Sequence, residues 1–262
     1  MKILGILNIT EDSFSDGGQY LAPEAALAHA NNLLADGADI IDIGAASSHP
    51  DAAPVPPDVE IARLAALIGP LHDVGASLSI DSFVPQVQAF ALEQGVDYLN
   101  DIHGFAEPAL YPALACSKAK LIVMHAVQSQ GIATRIDVPP EAIFERIVEF
   151  FEARLSALLQ AGIARERLIL DPGMGFFLGT NPQTSLTVLE RLPQLAEAFG
   201  LPLLVSVSRK SFLKALPGLP PEASLAAELF AVAQGADYIR THAPAPLREG
   251  LEVLETLEND GR

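Results

Sequence analysis

The chain has 262 residues, of which 16 are Lys or Arg and 33 Asp or Glu, for a net charge of −17. Half of the residues are hydrophobic, which supplies a full core and excludes wholesale disorder. The acidic balance argues against nucleic acid or an anionic membrane as partner, and the single cysteine, Cys116, excludes an internal disulfide or a Cys-based metal cluster.

At the N-terminus the apolar run Ile3–Leu7 ends at Asn8, too short for a secretory h-region. Nothing approaches the roughly 18 consecutive apolar residues of a membrane span. A cytoplasmic protein is expected. Short runs rich in Ile, Leu and Val then recur: Ile3–Ile9, Asp39–Gly44, Ser77–Asp81, Asp97–Asp101, Lys120–His125, Arg167–Asp171, Pro202–Ser208 and Asp237–His242. They show little polar alternation and suit parallel strands buried on both faces. Helical spacing fills the intervals, as in Ala22–Ala35, Pro57–Leu71, Pro140–Gln160 and Ser224–Ala233.

Gly37-Ala38-Asp39, Gly95-Val96-Asp97 and Gly235-Ala236-Asp237 each place Gly where a helix ends in a left-handed cap; Gly75, Gly162 and Gly200 occupy equivalent places. Eight strand–helix units of about 33 residues predict a single-domain TIM (β/α)8 barrel over residues 1–262. An open doubly wound sheet uses the same units. The even spacing, and the lack of Gly-x-Gly-x-x-Gly after the first strand, favour the barrel.

In a barrel the chemistry sits at the C-terminal strand ends. Those ends carry Asn8, Ser47-Ser48-His49, Asp81, Asn100-Asp101, His125, Asp171, Ser208-Arg209-Lys210-Ser211, and Arg240 with His242. An unpaired buried polar group costs roughly 1–3 kcal/mol, so such a ring of polar ends points to a ligand. Asp81, Asp171 and Asn100 suit a flat heterocycle rich in N–H groups and ring nitrogen. Lys210, Arg240 and His242 suit phosphate or pyrophosphate. The competing reading pairs Lys210 and Arg240 with Asp81 and Asp171 as structural ion pairs. His29 and His72 fall in helical stretches, His103 lacks an evident partner, and the scattered histidines match no zinc motif. The polar loop Thr10–Gly18, with one Phe and a Gly pair, has the length and composition of a lid.

The segments Asn8-Ile9-Thr10-Glu11-Asp12-Ser13-Phe14-Ser15-Asp16-Gly17-Gly18, Gly37-Ala38-Asp39-Ile40-Ile41-Asp42-Ile43-Gly44, Ser79-Ile80-Asp81-Ser82, Asn100-Asp101-Ile102, Asp171-Pro172-Gly173-Met174-Gly175-Phe176 and Ser208-Arg209-Lys210-Ser211-Phe212 follow one another over nearly the whole chain. Together they resemble the dihydropteroate synthase family. Ser47-Ser48-His49-Pro50-Asp51-Ala52 and Gly173-Met174-Gly175-Phe176-Phe177-Leu178-Gly179 are more similar to its sulfonamide-insensitive branch, carried by acquired resistance enzymes.

The resemblance implies condensation of 6-hydroxymethyl-7,8-dihydropterin pyrophosphate with 4-aminobenzoate, yielding 7,8-dihydropteroate and pyrophosphate. It implies that Asp81, Asn100, Asp171 and Lys210 hold the pterin, and that Asn8, Arg240 and His242 hold pyrophosphate, with Asn8 at Mg²⁺. Asp81, Lys210 and Arg240 would carry the catalysis. Phe14, Ser48, Pro50, Phe177 and Ser211 would form the aminobenzoate pocket, with Ser211 at the carboxylate. A homodimer through barrel helices is compatible with the family.

Three departures stand out. Ser47-Ser48-His49-Pro50 replaces Ser-Thr-Arg-Pro, Gly175-Phe176-Phe177-Leu178-Gly179 replaces Gly-Phe-Gly-Lys, and that sixth loop is about two residues longer than the common form. They bear on aminobenzoate geometry, not on the pterin. A methyltetrahydrofolate:corrinoid methyltransferase barrel would share Asp81, Asn100 and Asp171 but needs no pyrophosphate site. An idle pterin-binding scaffold would be expected to lose charged mouth residues, and the key ones are present.

Overall fold

The structure, a computed structural model, describes residues 1–10, 23–128, 131–216, 218 and 223–260. In chain order the first half contains β1 (Lys2–Asn8), α1 (Pro23–Ala35), β2 (Ile40–Gly44), α2 (Pro57–Asp73), β3 (Leu78–Asp81), α3 (Pro85–Glu93), β4 (Tyr98–Asp101), α4 (Tyr111–Cys116) and β5 (Lys120–Met124). The second half contains α5 (Pro140–Gln160), β6 (Leu168–Asp171), α6 (Pro182–Glu190), α7 (Leu192–Phe199), β7 (Leu204–Val205), α8 (Ser211–Ala215), α9 (Ala223–Ala233), β8 (Tyr238–Thr241) and α10 (Pro244–Asp260). All ladders are parallel, in the order β6-β5-β4-β3-β2-β1-β8-β7. The Leu170–Leu203 bridge, with the Leu170 amide on the Pro202 carbonyl at 2.9 Å, joins the two edges. The expected barrel is present. No helix among the described residues is long and apolar enough to cross a membrane.

The Gly-x-Asp triplets explain how the strands start in register. Gly37, Gly95 and Gly235 take φ of +92°, +74° and +94°, which turns the chain out of each helix. The aspartate two residues on then accepts an amide from the neighbouring strand. Asp39 binds the Ile3 amide at 2.8 Å, Asp97 that of Leu78 and Asp237 that of Leu203, both at 2.9 Å. The expected seventh strand, Pro202–Ser208, is shorter because the Lys210 amide already turns back to the Val207 carbonyl at 3.2 Å.

Alternation then sorts the side chains. Outward positions such as Leu7, Ile41, Ile80, Leu99, Val123 and Leu170 join helical Leu33, Leu67, Val87, Ile147 and Phe151 in the main apolar core. Inward positions near the strand starts form a separate plug of Leu4, Ile40, Ile122, Ile169, Leu204 and Tyr238. One step further along, the inward residues turn polar: Asp42, Asp81, Asn100, Asp171, Ser206 and Arg240. A buried Leu or Ile stabilises by roughly 1.5–3 kcal/mol, so the outer core and lower plug hold the barrel and the polar layer is left to chemistry.

After β6 the chain must turn beneath the loop that follows β5. Gly173 sits there at φ +78°, its amide donating to Asp171 Oδ1 at 2.8 Å, and a Cβ would fall 2.4 Å from the His125 carbonyl oxygen. Gly173→Ala should therefore cost at least roughly 1–3 kcal/mol in urea denaturation, from backbone strain alone. A change within about 0.5 kcal/mol, the level of an ordinary surface substitution, would contradict that placement.

Candidate active site

The strand ends open on a small cleft. Asp81, Asn100, Asp171, Ser206, Lys210 and Arg240 supply its polar lining; Ile102, Met124, Met174 and Phe177 supply the apolar wall, and Ser48 the rim. Asn100 Oδ1 and Ser206 Oγ are buried without a hydrogen-bond partner among the described residues. A larger depression at the opposite end of the barrel is different in kind. There Asp97 is occupied by Ser77 Oγ at 3.0 Å and the Leu78 amide at 2.9 Å, and Ser117 Oγ accepts from Arg167 at 2.8 Å. Unsatisfied buried polar atoms mark the upper cleft as the place built for a ligand.

Its electrostatics centre on Arg240. Nε donates to Asp42 Oδ2 at 2.5 Å and a terminal nitrogen donates to Asp81 Oδ2 at 2.7 Å. Burial works against the charge, but Asp42 and Asp81 more than reverse it, so Arg240 stays protonated. Burial pushes Asp81 up to about 7, the Asp42 charge adding to the rise while Arg240 opposes it. Burial likewise raises Asp171 to about 6, against the Gly173 amide and the Lys210 charge. Lys210 is lowered to about 8 by burial and by Arg240. The ion-pair reading of the sequence therefore holds for Arg240 with Asp81. Lys210 is different: its ammonium lies 4.9 Å from the centre of the Phe177 ring, and the turn before it places Arg209 at φ +58°.

His242, at the end of β8, directs Nδ1 to Ser208 Oγ at 3.0 Å. Burial, then the charges of Arg209 and Arg240, lower it to about 3, so the imidazole is neutral. Asn8 lies exposed at the end of β1, with Oδ1 only 3.1 Å from a Cβ placed on Gly44 and Asp81 Oδ2 3.9 Å from the same point. Ser211 opens α8, its Oγ 2.9 Å from a Cβ placed on Gly175. Pro50 is half-buried in the second loop, and Phe14 lies outside the described residues, as does the loop Thr10–Gly18 beyond Thr10.

Asn8, His242 and Ser211 are not among the residues that line the cleft, and His125 and Asp101 turn away from it. His125 is buried against Phe150 with Nδ1 3.1 Å from the Pro172 carbonyl oxygen, and burial holds it near 4. Asp101 accepts from Gln88 at 2.9 Å and from the His103 and Phe105 amides at 2.7 and 3.0 Å, which shapes the fourth loop. His103 finds the Gly131 carbonyl at 2.8 Å. Conversely, Asp42 and Ser206 were not singled out by the strand-end reading. A carboxylate between Ile41 and Ile43 was the available signal, since a buried charge requires a partner.

Among the described residues, no group of three or more His, Cys, Asp or Glu is placed to hold a metal ion. The donor set therefore fits a hard cation such as Mg²⁺ only if a ligand's oxygens and water complete the shell around Asn8 Oδ1. Mg²⁺ commonly binds in that way, through few protein oxygens plus phosphate.

The sequence matches the family model described as "Pterin binding enzyme" over residues 4–242. It is 58% identical over 264 residues to the dihydropteroate synthase type-2 of Escherichia coli, covering 99% of this chain and 97% of that protein. The dihydropteroate synthase of Burkholderia cenocepacia, complexed with 7,8-dihydropteroate, superposes with a TM-score of 0.87 at 34% identity, over 100% of this chain and 92% of that one. The Xanthomonas albilineans enzyme with 4-aminobenzoic acid gives a TM-score of 0.86 at 33% identity, over 98% and 93%. The chain belongs to the pterin-binding enzymes and, among them, to the dihydropteroate synthases.

Proposed function

We propose that the upper cleft condenses 6-hydroxymethyl-7,8-dihydropterin pyrophosphate with 4-aminobenzoate, and that the individual side chains divide the work as follows. The unpaired Asn100 Oδ1, buried beside Asp171 and Lys210, is the observation that carries the reading. A pterin ring offers the N–H group that Asn100 Oδ1 lacks, a further N–H for Asp171, and a ring acceptor for Lys210. Arg240 and His242 face the pyrophosphate from β8, and Ser211 takes the aminobenzoate carboxylate at the start of α8. Asn8 would hold a Mg²⁺ ion, which would neutralise charge on the leaving group.

In the reaction the C–O bond to pyrophosphate breaks and the electron pair leaves with that oxygen. The amine lone pair forms the new C–N bond, and the proton it sheds leaves with pyrophosphate to solvent. Positive charge grows on the pterin methylene as the bond breaks. Ionised Asp81 stabilises it, while Arg240, already fixed between Asp42 and Asp81, stabilises the departing negative charge without reorganising. The loops at the mouth exclude water and position the amine. The close similarity to a dihydropteroate synthase over the whole length disfavours the corrinoid methyltransferase and the idle scaffold. We read the enzyme as cytoplasmic. A homodimer is compatible with the exposed Phe230 on α9 and Val253 and Leu257 on α10.

Release of pyrophosphate that requires both substrates tests this reading directly; no release from the wild-type enzyme would overturn it. Asp171→Asn and Lys210→Ala should each weaken pterin pyrophosphate binding by roughly 2–5 kcal/mol in calorimetry, and aminobenzoate binding far less. Since Asp171 titrates near 6 and Lys210 near 8, affinity should fall below about pH 6, as the carboxylate gains a proton, and above about pH 8, as the ammonium loses one. Lys210→Ala should remove the alkaline limb. Unchanged affinity in both variants would take these residues out of the site.

Discrimination against sulfonamides has a physical source in the sixth loop. A sulfonamide replaces a planar carboxylate by a tetrahedral sulfonyl with a bulky substituent. Phe177 lines the cleft next to Lys210, with Phe176 beside it toward the rim, so an added ring stands where that substituent must pass. Phe177→Gly should tighten sulfonamide inhibition while leaving pterin binding nearly intact. A ratio of inhibitor to substrate affinity that does not move would refute this role.

A further inference from the structure

Three loops at the mouth are fastened to one another by contacts that lie outside the strands. Asp51, in the loop after β2, receives both terminal nitrogens of Arg135, from the loop after β5, at 2.7 and 2.5 Å. The same guanidinium lies over the ring of Phe176, in the loop after β6, 5.6 Å from its centre. His49 meets that ring edge-on at 5.8 Å. Backbone bonds run alongside: the Ala133 amide donates to the Ser48 carbonyl at 3.0 Å, and the Val127 amide to the Phe177 carbonyl at 2.9 Å. Ser48 and Phe177, which both line the cleft, are thus tied to one intervening loop.

We propose that Arg135 is a positioning residue that sets the aminobenzoate half of the cleft. The inference rests on the synthase reading of that cleft. Arg135 touches none of the groups assigned to the pterin; it acts through Asp51 and Phe176 on the placement of Ser48 and Phe177. Both members of the ion pair are about half exposed, with side chains 51% and 62% accessible, so the pair alone contributes little to global stability. Its two-pronged geometry and the ring contact converge on one planar group, which gives direction as well as energy. Lysine would keep the charge but not the fork or the stacked face.

The test is steady-state kinetics on the wild-type enzyme, on Arg135→Gln and Asp51→Asn, and on the charge swap Asp51→Arg with Arg135→Asp. The KM for 4-aminobenzoate should rise roughly tenfold in each single variant, with the KM for the pterin pyrophosphate and the melting temperature nearly unchanged. The swap should recover part of the loss, the share owed to the ion pair. An aminobenzoate KM that stays put in both single variants, or two KM values that rise together, would overturn the proposal. If the wild-type enzyme does not condense the substrates, it is the synthase reading that fails. Hydrogen exchange across residues 47–52 then decides the fastening by itself: faster exchange in Arg135→Gln supports it, and unchanged exchange overturns it.

Discussion

A strand sends successive side chains to opposite faces, and in a closed barrel only one of those faces points inward. Everything in the cleft depends on that alternation being in phase. A slip of one residue in β3 would present Ile80 where Asp81 stands; in β8 it would present Ile239 or Thr241 in place of Arg240. The phase is set at the other end of the barrel. Asp39, Asp97 and Asp237 each fasten the first amides of a neighbouring strand, about 10–15 Å below the chemistry at the usual rise per residue. The glycine two residues earlier lets the chain leave its helix at the angle the aspartate needs. What looked like helix punctuation is also a register device for the active site.

The inward polar layer then has a charge problem to solve. Three carboxylates, Asp42, Asp81 and Asp171, share a confined space with Arg240 and Lys210, and the Asp42 charge adds to the raised proton affinity of Asp81 and Asp171. Arg240 settles it by bridging Asp42 and Asp81, which leaves Asp171 and Lys210 for a ligand. The substrates are anionic and the protein carries −17, so the global field opposes their approach. Screening limits that field to about 8 Å at physiological ionic strength. Inside the mouth the nearby cations therefore outweigh a distant acidic surface, and the local arrangement, not net charge, governs binding.

The same alternation explains what could be read from the amino-acid sequence and what could not. The eight strands and the helix caps were visible because buried parallel strands are continuous apolar runs. Asp81, Asn100, Asp171, Lys210 and Arg240 were visible because they interrupt such runs at their ends. His125 and Asp101 interrupt them as well, but each follows an inward residue, Met124 and Asn100, and so faces away from the cleft toward its own loop. Asp42 was concealed for the opposite reason: it lies inside an apolar run, and attention to the ends passes it by. The Arg135–Asp51 contact spans 84 positions between irregular segments, with no periodicity to announce it.

The site divides into two mechanical halves. The groups assigned to the pterin stand on strands or on the turn beginning α8, held by ladders and by the packed core. Apart from Ser211 on α8, the described groups assigned to the aminobenzoate, Ser48, Pro50 and Phe177, stand on loops that reach one another through side-chain contacts and a few backbone bonds. Strand positions cannot change without disturbing register, whereas a loop can lengthen by a residue or exchange an Arg for a His at modest cost. Selectivity toward the second substrate is therefore adjustable while pterin recognition is not. The departures noted in this chain, His49 in the second loop and the replaced and lengthened segment around Phe177 in the sixth, all fall in the adjustable half. They meet around Phe176, where Arg135 brings a guanidinium from a third loop, so a change in any one of these loops is felt by the other two.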